Sequence, residues 1–405
     1  VKVLVQAYAC SPDWGSEEGV GWNYVLALSK KCQLHVMVQE KYRQSINRYF
    51  EREPLENLTF YFMKHTSLER SLMKSGLTYY IAYRLWQKRA YNDAIQLHAI
   101  HHFDLTHVLT YIGFRTPGYF YQLPIPSVWG PIGGAQNFPW KCLSGLTITG
   151  IIKEGCRNVA NILQRDFSSH YLRASKRSTI ITATGQTAAF LKLHNVISVP
   201  VTGCRKNEIE RAPKMFVHNA PLSILWSGLH IERKRLDILI HSLKNAQFEY
   251  NVTVLGDGPL TDYWKKLTRI CEVAENFHFM GKIPHDEALR MFGKSDIFVF
   301  TSLRETSATV ILESLSKGLP VIALGINGAC DIIDDSCGYL IPIRKVNSMV
   351  ADLRALLQQL AHNRDVLYSK SIGALKRAHY YTWEKNSETV FEIYKKSVQT
   401  SLVSV

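Results

Sequence analysis

Two carboxylates, Glu305 and Glu313, carry the first chemical signal in this 405-residue chain, because of what lies around and between them. The preceding run, Asp296-Ile-Phe-Val-Phe300, is short, apolar and β-branched or aromatic, as a buried strand is. It breaks at Thr301-Ser302, and a helical pattern follows from about Ser307, with Val310, Ile311, Leu312 and Leu315 apolar. Gly318-Leu319-Pro320 stops that helix, and a second strand begins at Val321. The pattern predicts a βαβ unit, and in an open α/β sheet ligands bind beyond the C-terminal ends of the strands, where Glu305 falls. Between the carboxylates, the helix start around Ser307, Ala308 and Thr309 offers free N–H groups and a positive dipole end suited to a diphosphate. If the whole interval were helical, it would span about 12 Å, close to the reach of a nucleotide-sugar from hexose to ribose. Carboxylates repel phosphate, so Glu305 is expected on the sugar and Glu313 on the ribose. The plainer reading is two solvent-facing helix glutamates; the strand–turn–helix context is what gives the pair weight.

Other candidates lie in the first half. A strand at 1–8 runs into the loop SPDWGSEEGVGW and a helix expected at 17–31. Gly15 and Ser16, at that helix start, are a second candidate phosphate or substrate contact. Equally, Ser16 reads as an ordinary N-cap, with Glu17 and Glu18 favouring the dipole. Pro131, Gly133 and Gly134 keep the chain irregular after a short strand at 127–129, which marks a binding loop. His107 ends the preceding strand and is a candidate to face the same cleft, although a lone histidine there is more often structural.

Composition narrows the classes. The hydrophobic fraction of 46% supports well-filled cores. No apolar run approaches the ~20 residues of a membrane span, and no signal-peptide pattern opens the chain. A cytoplasmic protein is expected, peripheral on the inner face of the plasma membrane if it meets a membrane at all. The eight cysteines are scattered, without metal-ligand spacing, so reduced thiols and no metal are expected. A formal charge of +14 needs nucleic acid, anionic membrane or phosphorylated substrate as its partner. The chain has no RNP, KH or zinc-finger signature, and its basic residues are dispersed, which disfavours nucleic acid. Residues 64–90 interleave Arg70, Lys74, Arg84, Lys88 and Arg89 with Leu72, Met73, Tyr79, Tyr80, Ile81, Tyr83 and Trp86. Such a helix suits an anionic membrane surface, or else a core that buries its aromatic face.

Strand and helix signals alternate along the whole length, predicting two doubly wound, Rossmann-like α/β domains. The expected division is a first domain at 1–204, a charged Pro-containing linker at 205–220, a second domain at 221–380 and a final helix at 381–405. The first-half helices are expected at 68–100 and 150–175, among others.

The second half resembles retaining glycosyltransferase family 4, of the GT-B fold with its two domains facing a central cleft. The matching stretches are SGLHIERK (227–234), VTVLGDGP (252–259), FHFMGKIPHDEALRMFGKSDIFVFTSLRETSATVILESLSKGLPVIA (277–323) and NGACDIIDDSCGYLIP (327–342). SPDWGSEEGVGW with VWGPIGG resembles a bacterial subset that builds surface polysaccharides such as lipopolysaccharide or capsule. The resemblance implies that Glu305 and Glu313 are the family's paired glutamates, and that Lys234 neutralises the donor diphosphate. It also implies that Gly228 and Gly256-Asp257 line the cleft, and that main-chain groups at Lys282-Ile283 meet the base. Leu229 stands where the family usually carries Arg, so Arg233 or His230 has to supply the second cation. The final helix, by the same resemblance, returns to the first domain.

The implied activity is metal-independent transfer, with retention, of a hexose from a nucleotide-sugar to a glycan or lipid-linked glycan. UDP is expected rather than GDP, with no cofactor, and Glu17 or Glu18 as groups that orient the acceptor beside Gly133 and Gly134. The alternatives are an epimerase of the same fold and a non-catalytic sugar-nucleotide-binding subunit.

Overall fold

The computed structural model describes residues 1–403 apart from Trp14, Leu77, Asn195 and Ser307. Its strands form two wholly parallel sheets, the arrangement that alternating strand and helix signals demand. The first sheet holds β1 (Lys2–Gln6), β2 (Gln33–Gln39), β3 (Leu58–Met63), β4 (Leu105–Val108), β5 (Ser127–Ile132), β6 (Thr179–Thr182) and β7 (Ile197–Ser198). Their order is β3-β2-β1-β4-β5-β6-β7. The second sheet holds β8 (Leu222–Ser227), β9 (Tyr250–Leu255), β10 (Phe277–Gly281), β11 (Ile297–Phe300), β12 (Val321–Leu324) and β13 (Gly338–Ile341), ordered β10-β9-β8-β11-β12-β13. Both are Rossmann-like. Each reverses its winding once, between β1 and β4 in the first and between β8 and β11 in the second, the position at which ligands bind in open α/β sheets.

Strand periodicity places the cores. In β1, Val3 and Val5 join one apolar layer and Leu4 the other. In β11, Ile297 and Val299 pack on one face while Phe298 and Phe300 fill the opposite one. Both faces of both sheets are therefore covered, as parallel sheets require.

The division of the chain differs from the linear one expected. One compact unit comprises residues 1–135, 161–201 and 383–405; the other comprises 136–160 and 202–382. Segment 136–160 belongs to the second unit because Phe138 and Cys142 sit in that unit's core. The Arg235 guanidinium also donates to the Cys142 and Ser144 carbonyls, at 2.8 and 2.9 Å. Nor is 205–220 a free linker. Glu210 N donates to Ser316 O at 2.8 Å, Lys214 N to Ser371 Oγ at 2.8 Å, and Arg364 to Ala220 O at 2.7 Å. Proline and charge removed its periodicity without removing its backbone partners. The last helix, Trp383–Val403, packs in the first unit through Trp383, Val390, Ile393 and Tyr394.

Two expected helices are split. The 150–175 helix is Ile148–Phe167 followed by Ser169–Arg177, the second opened by the Ser168 hydroxyl accepting from Tyr171 N. The 68–100 zone is Ser67–Leu72, started by a Thr66–Glu69 capping box, and Tyr79–His101. Within it Tyr83 and Trp86 are buried against Tyr8, with ring centroids 4.6 and 4.8 Å apart. That half of the basic aromatic stretch is core. Leu68, Tyr80 and Ile81 stay exposed beside Arg70, Lys74, Arg84 and Lys88. Among the described residues, no helix is long and apolar enough to cross a membrane.

The end of β9 depends on a glycine. Gly256 has φ of +107°, and a Cβ there would stand 2.0 Å from the Gly228 carbonyl oxygen. Gly256→Ala is therefore expected to destabilise the second unit by about 2–3 kcal/mol, through strain and a displaced loop. A urea titration that resolves that unit's unfolding measures it.

Candidate functional site

The second unit's crevice lies where β8 and β11 run side by side, with Ile297 opposite Ile224. β8 ends in the turn 228–231, a 3-10 turn Glu232–Lys234 and Arg235 in the left-handed region, and the following helix is Leu236–Leu243. β11 ends in an irregular loop before the helix Thr309–Ser316. The two loops are stitched together. Leu303 N donates to Arg233 O at 2.9 Å, and Thr301 Oγ1 donates to Lys234 O at 2.7 Å while receiving Trp226 Nε1–H at 2.9 Å. This stitching brings three charges to one point: the Lys234 ammonium lies 2.6 Å from Glu305 Oε1, and Arg233 Nη1 donates to the same oxygen. Arg233 Nη1 also reaches Arg304 O at 2.7 Å, and Lys234 lies over the Phe300 ring.

The electrostatics follow from burial. Desolvation alone would raise the Glu305 carboxyl, but Lys234 and Arg233 outweigh it and hold it below its ordinary range. Burial draws the Lys234 ammonium down, with Glu305 opposing. Of the two candidates for the second cation, Arg233 is the one that reaches Glu305. His230 is buried, its Nδ1 lies 2.8 Å from Thr261 Oγ1, and its ring contacts Trp226 and Trp264. Burial lowers its pKa, so it stays neutral. Leu229 is exposed.

The other second-unit candidates lie at the ends of the neighbouring strands and in the helix Thr309–Ser316. Gly256 N donates to Gly281 O, His230 N to Asp257 O and Leu260 N to His230 O, which joins the ends of β8, β9 and β10. Gly256 and Gly258 permit that closeness, since a Cβ on either would run into the backbone of Gly228 or His230. Asp257 Oδ1 accepts from Gly258 N at 2.7 Å and Thr261 Oγ1 at 2.6 Å, so that oxygen caps its own turn. Lys282 is exposed and Ile283 half-buried after β10. Ser307 lies outside the described residues. The helix starts at Thr309, not Ser307, with Ala308 as N-cap residue, so helical rise does not set the Glu305–Glu313 separation. Glu313 points towards His285, whose Nδ1 is 3.9 Å away. Burial raises its carboxyl pKa, against His285 and with Glu208 adding to the rise.

The first unit gathers its candidates too. Gly15 is the N-cap of the helix Ser16–Ser29, and Glu17 follows in its first turn. Glu17 Oε1 accepts from Tyr111 N at 2.7 Å and Ile112 N at 3.0 Å; Ile112 O receives Gly133 N, and Gly134 lies against Gly113. Glu18 accepts from Tyr42. A cavity of about 310 Å3 opens there, lined by Glu17, Glu18, Tyr80, Tyr111 and Gly113. Burial raises the Glu17 carboxyl against those two backbone donors.

His107 corrects an expectation. It is fully buried, with Nδ1 2.5 Å from Tyr394 Oη and Nε2 2.7 Å from Gly130 O, so it braces β4 instead of facing a ligand. Sequence reasoning missed Ser302, whose hydroxyl lies 3.3 Å from Glu305 Oε1, and the Tyr111–Ile112 amides that receive Glu17. A serine and two backbone groups leave no pattern to find. Among the described residues no cluster of three His, Cys, Asp or Glu side chains is placed to hold a metal.

Residues 210–369, within the second unit, match the family model described as glycosyl transferases group 1. The Arabidopsis thaliana sulfoquinovosyl transferase SQD2 is 30% identical over 167 residues, which cover 40% of this chain and 31% of that protein. The chain spans less than half the length of the first curated relatives it matches. Solved glycosyltransferase structures share the fold of both units. The lipopolysaccharide outer core galactosyltransferase WaaB has a TM-score of 0.63 at 12% identity, covering 99% of each chain. Anabaena HepE in complex with UDP and glucose has a TM-score of 0.58 at 12% identity, covering 98% of this chain and 99% of its own.

His107 has a pH signature. Burial lowers its pKa from 6.5 to about 4, with the Gly130 carbonyl opposing. As pH falls from 6.5 the unfolded chain takes up this proton before the folded one, so stability is lost towards pH 4. His107→Gln should lose about 3 kcal/mol less than the wild type across that window. Urea titrations of the first unit at several pH values measure the difference.

Proposed function

We propose that the protein is a retaining, metal-independent glycosyltransferase that moves a hexose from a nucleotide-diphosphate sugar to a hydroxyl of a glycan. The observation that carries this reading is the Glu305 carboxylate held by Lys234 and Arg233 at the crevice of a group 1 domain. Without ligand, the two cations rest on Glu305. A diphosphate arriving at the start of the helix Thr309–Ser316 competes for them, and they then stabilise charge on the leaving group. Glu305, released in part, takes a sugar hydroxyl or the forming positive charge at the anomeric carbon. The acceptor oxygen bonds to that carbon as its bond to the β-phosphate oxygen breaks. The acceptor proton passes to the departing phosphate, and nucleoside diphosphate leaves.

Glu313, kept in the same helix, meets the ribose, and the backbone at Lys282-Ile283 the base. UDP is the proposed nucleotide, in keeping with the UDP and glucose held by HepE. The first unit takes the acceptor, with Glu17, Glu18, Gly133 and Gly134 around its cavity. Surface-polysaccharide synthesis, with a lipid-linked acceptor, is supported by the lipopolysaccharide galactosyltransferase among the fold's neighbours. The exposed Leu68, Tyr80 and Ile81 with their surrounding cations suit an anionic membrane on the cytoplasmic side.

A panel of UDP- and GDP-sugars, scored by calorimetric binding and slow hydrolysis, tests the donor. Lys234→Ala should cost about 10²–10³-fold in turnover, and Glu305→Gln should abolish transfer while UDP still binds. Transfer that survives Glu305→Gln would sink the assignment. Vesicles with anionic lipid should retain the protein at low salt and release it at high salt.

A further inference from the structure

The charged centre is embraced by residues that belong to a distant stretch of sequence. Glu232 and Arg235 flank Arg233-Lys234 in the chain; Arg304 and Thr306 flank Glu305. All four are bonded to segment 136–160. Arg304 Nη2 donates to Glu154 Oε1 at 2.9 Å, and Thr306 Oγ1 lies 2.9 Å from Gln136 Oε1. Glu232 Oε1 accepts from Thr147 N at 3.0 Å and from the Thr147 hydroxyl. Arg235 donates to Cys142 O at 2.8 Å and Ser144 O at 2.9 Å.

The segment is built for this approach. Its two ends are clasped by Asn158, whose side chain bonds both Phe138 N and Phe138 O. Phe138 and Cys142 anchor it in the second unit's core. A Cβ on Gly150 would lie 1.9 Å from Glu232 Oε2, and one on Gly145 would lie 2.9 Å from Arg235 Nη2. A side chain at either position would push on the end of Glu232 or Arg235, and Gly145 also has φ of +87°.

We propose that segment 136–160 is the positioning frame of the Glu305–Lys234–Arg233 centre, with Glu154 and Glu232 as its positioning residues. The physical need is clear from residues 301–306, which have no helix or strand to hold their shape. A carboxylate on such a loop keeps a productive geometry only if its neighbours are fixed, and fixing Arg304 on one side and Thr306 on the other does that. Glu154 is the strongest of these holds, because its carboxylate is buried and its bond to Arg304 is charge-assisted. Neither Glu154 nor Glu232 contacts the reacting groups; they act through Arg304 and through the turn that carries Arg233 and Lys234.

The inference rests on the glycosyltransferase reading for its kinetic arm only. Hydrogen exchange on the whole protein tests it directly. In Glu154→Gln the amides of 302–309 should exchange about tenfold faster than in the wild type, while those of β8, β9 and β11 keep their rates. Turnover of the nucleotide-sugar should fall about tenfold with KM changed less than about threefold, and Glu154→Arg with Arg304→Glu should recover part of the loss. Unchanged exchange in 302–309 overturns the proposal. So does faster exchange spread over the whole second sheet with turnover and KM worsening together, since that is general destabilisation. If Glu154→Gln does not fold, Gly150→Ala serves, with the faster exchange expected at 232–235. A wild type inert towards every nucleotide-sugar counts against the glycosyltransferase reading, while the exchange result still decides the positioning role.

Discussion

Glu305 is a half-buried carboxylate compensated by two cations, and the second unit is arranged around that compensation. A buried carboxylate without a partner takes up a proton or destabilises the fold. Here Lys234 and Arg233 keep it charged, and both come from one turn at the end of β8 while Glu305 comes from the end of β11. Adjacent strands put those ends together only because the winding reverses at that place. The glycines at 256 and 258 then let the neighbouring loops come within backbone contact.

The first unit solves the same problem differently. Glu17 also lies at the crevice of its sheet, but its partners are the amides of Tyr111 and Ile112 and not cations. Amide dipoles offset less of the desolvation than full charges do, and the carboxyl is accordingly pushed up where Glu305 is pulled down. A carboxylate held ionised between cations suits the handling of a charged leaving group. One whose pKa is raised, beside a cavity rimmed by Tyr80 and Tyr111, suits hydroxyl-bearing ligands.

Neither unit is a continuous piece of chain. Segment 136–160 and the helix Trp383–Val403 each join the unit that the simple order of the sequence would not assign them. The consequence is local and chemical. Arg304, Thr306, Glu232 and Arg235, which flank the centre, find their partners about a hundred residues or more away in the first half of the chain, a separation that no motif spans.

The sequence alone determined the class of fold, because alternating apolar strands and amphipathic helices have one stable arrangement, a parallel sheet covered on both faces. It also marked Glu305 and Glu313 as candidates, since a strand followed by a turn and a helix carries its own signature in residue type and spacing, whereas Lys234 was singled out by the family resemblance. Tertiary structure decided what those residues touch. That Arg233 and not His230 faces Glu305 depends on tertiary partners: His230, in the turn before the 3-10 turn Glu232–Lys234, is taken up by Thr261, Trp226 and Trp264. That His107 is a brace depends on a tyrosine 287 residues further on. That the aromatic face of 79–90 is core depends on Tyr8. The helix start at Thr309 and the course of 136–160 were likewise settled by packing. Pairings between residues distant in sequence follow from burial and topology, and local pattern encodes neither.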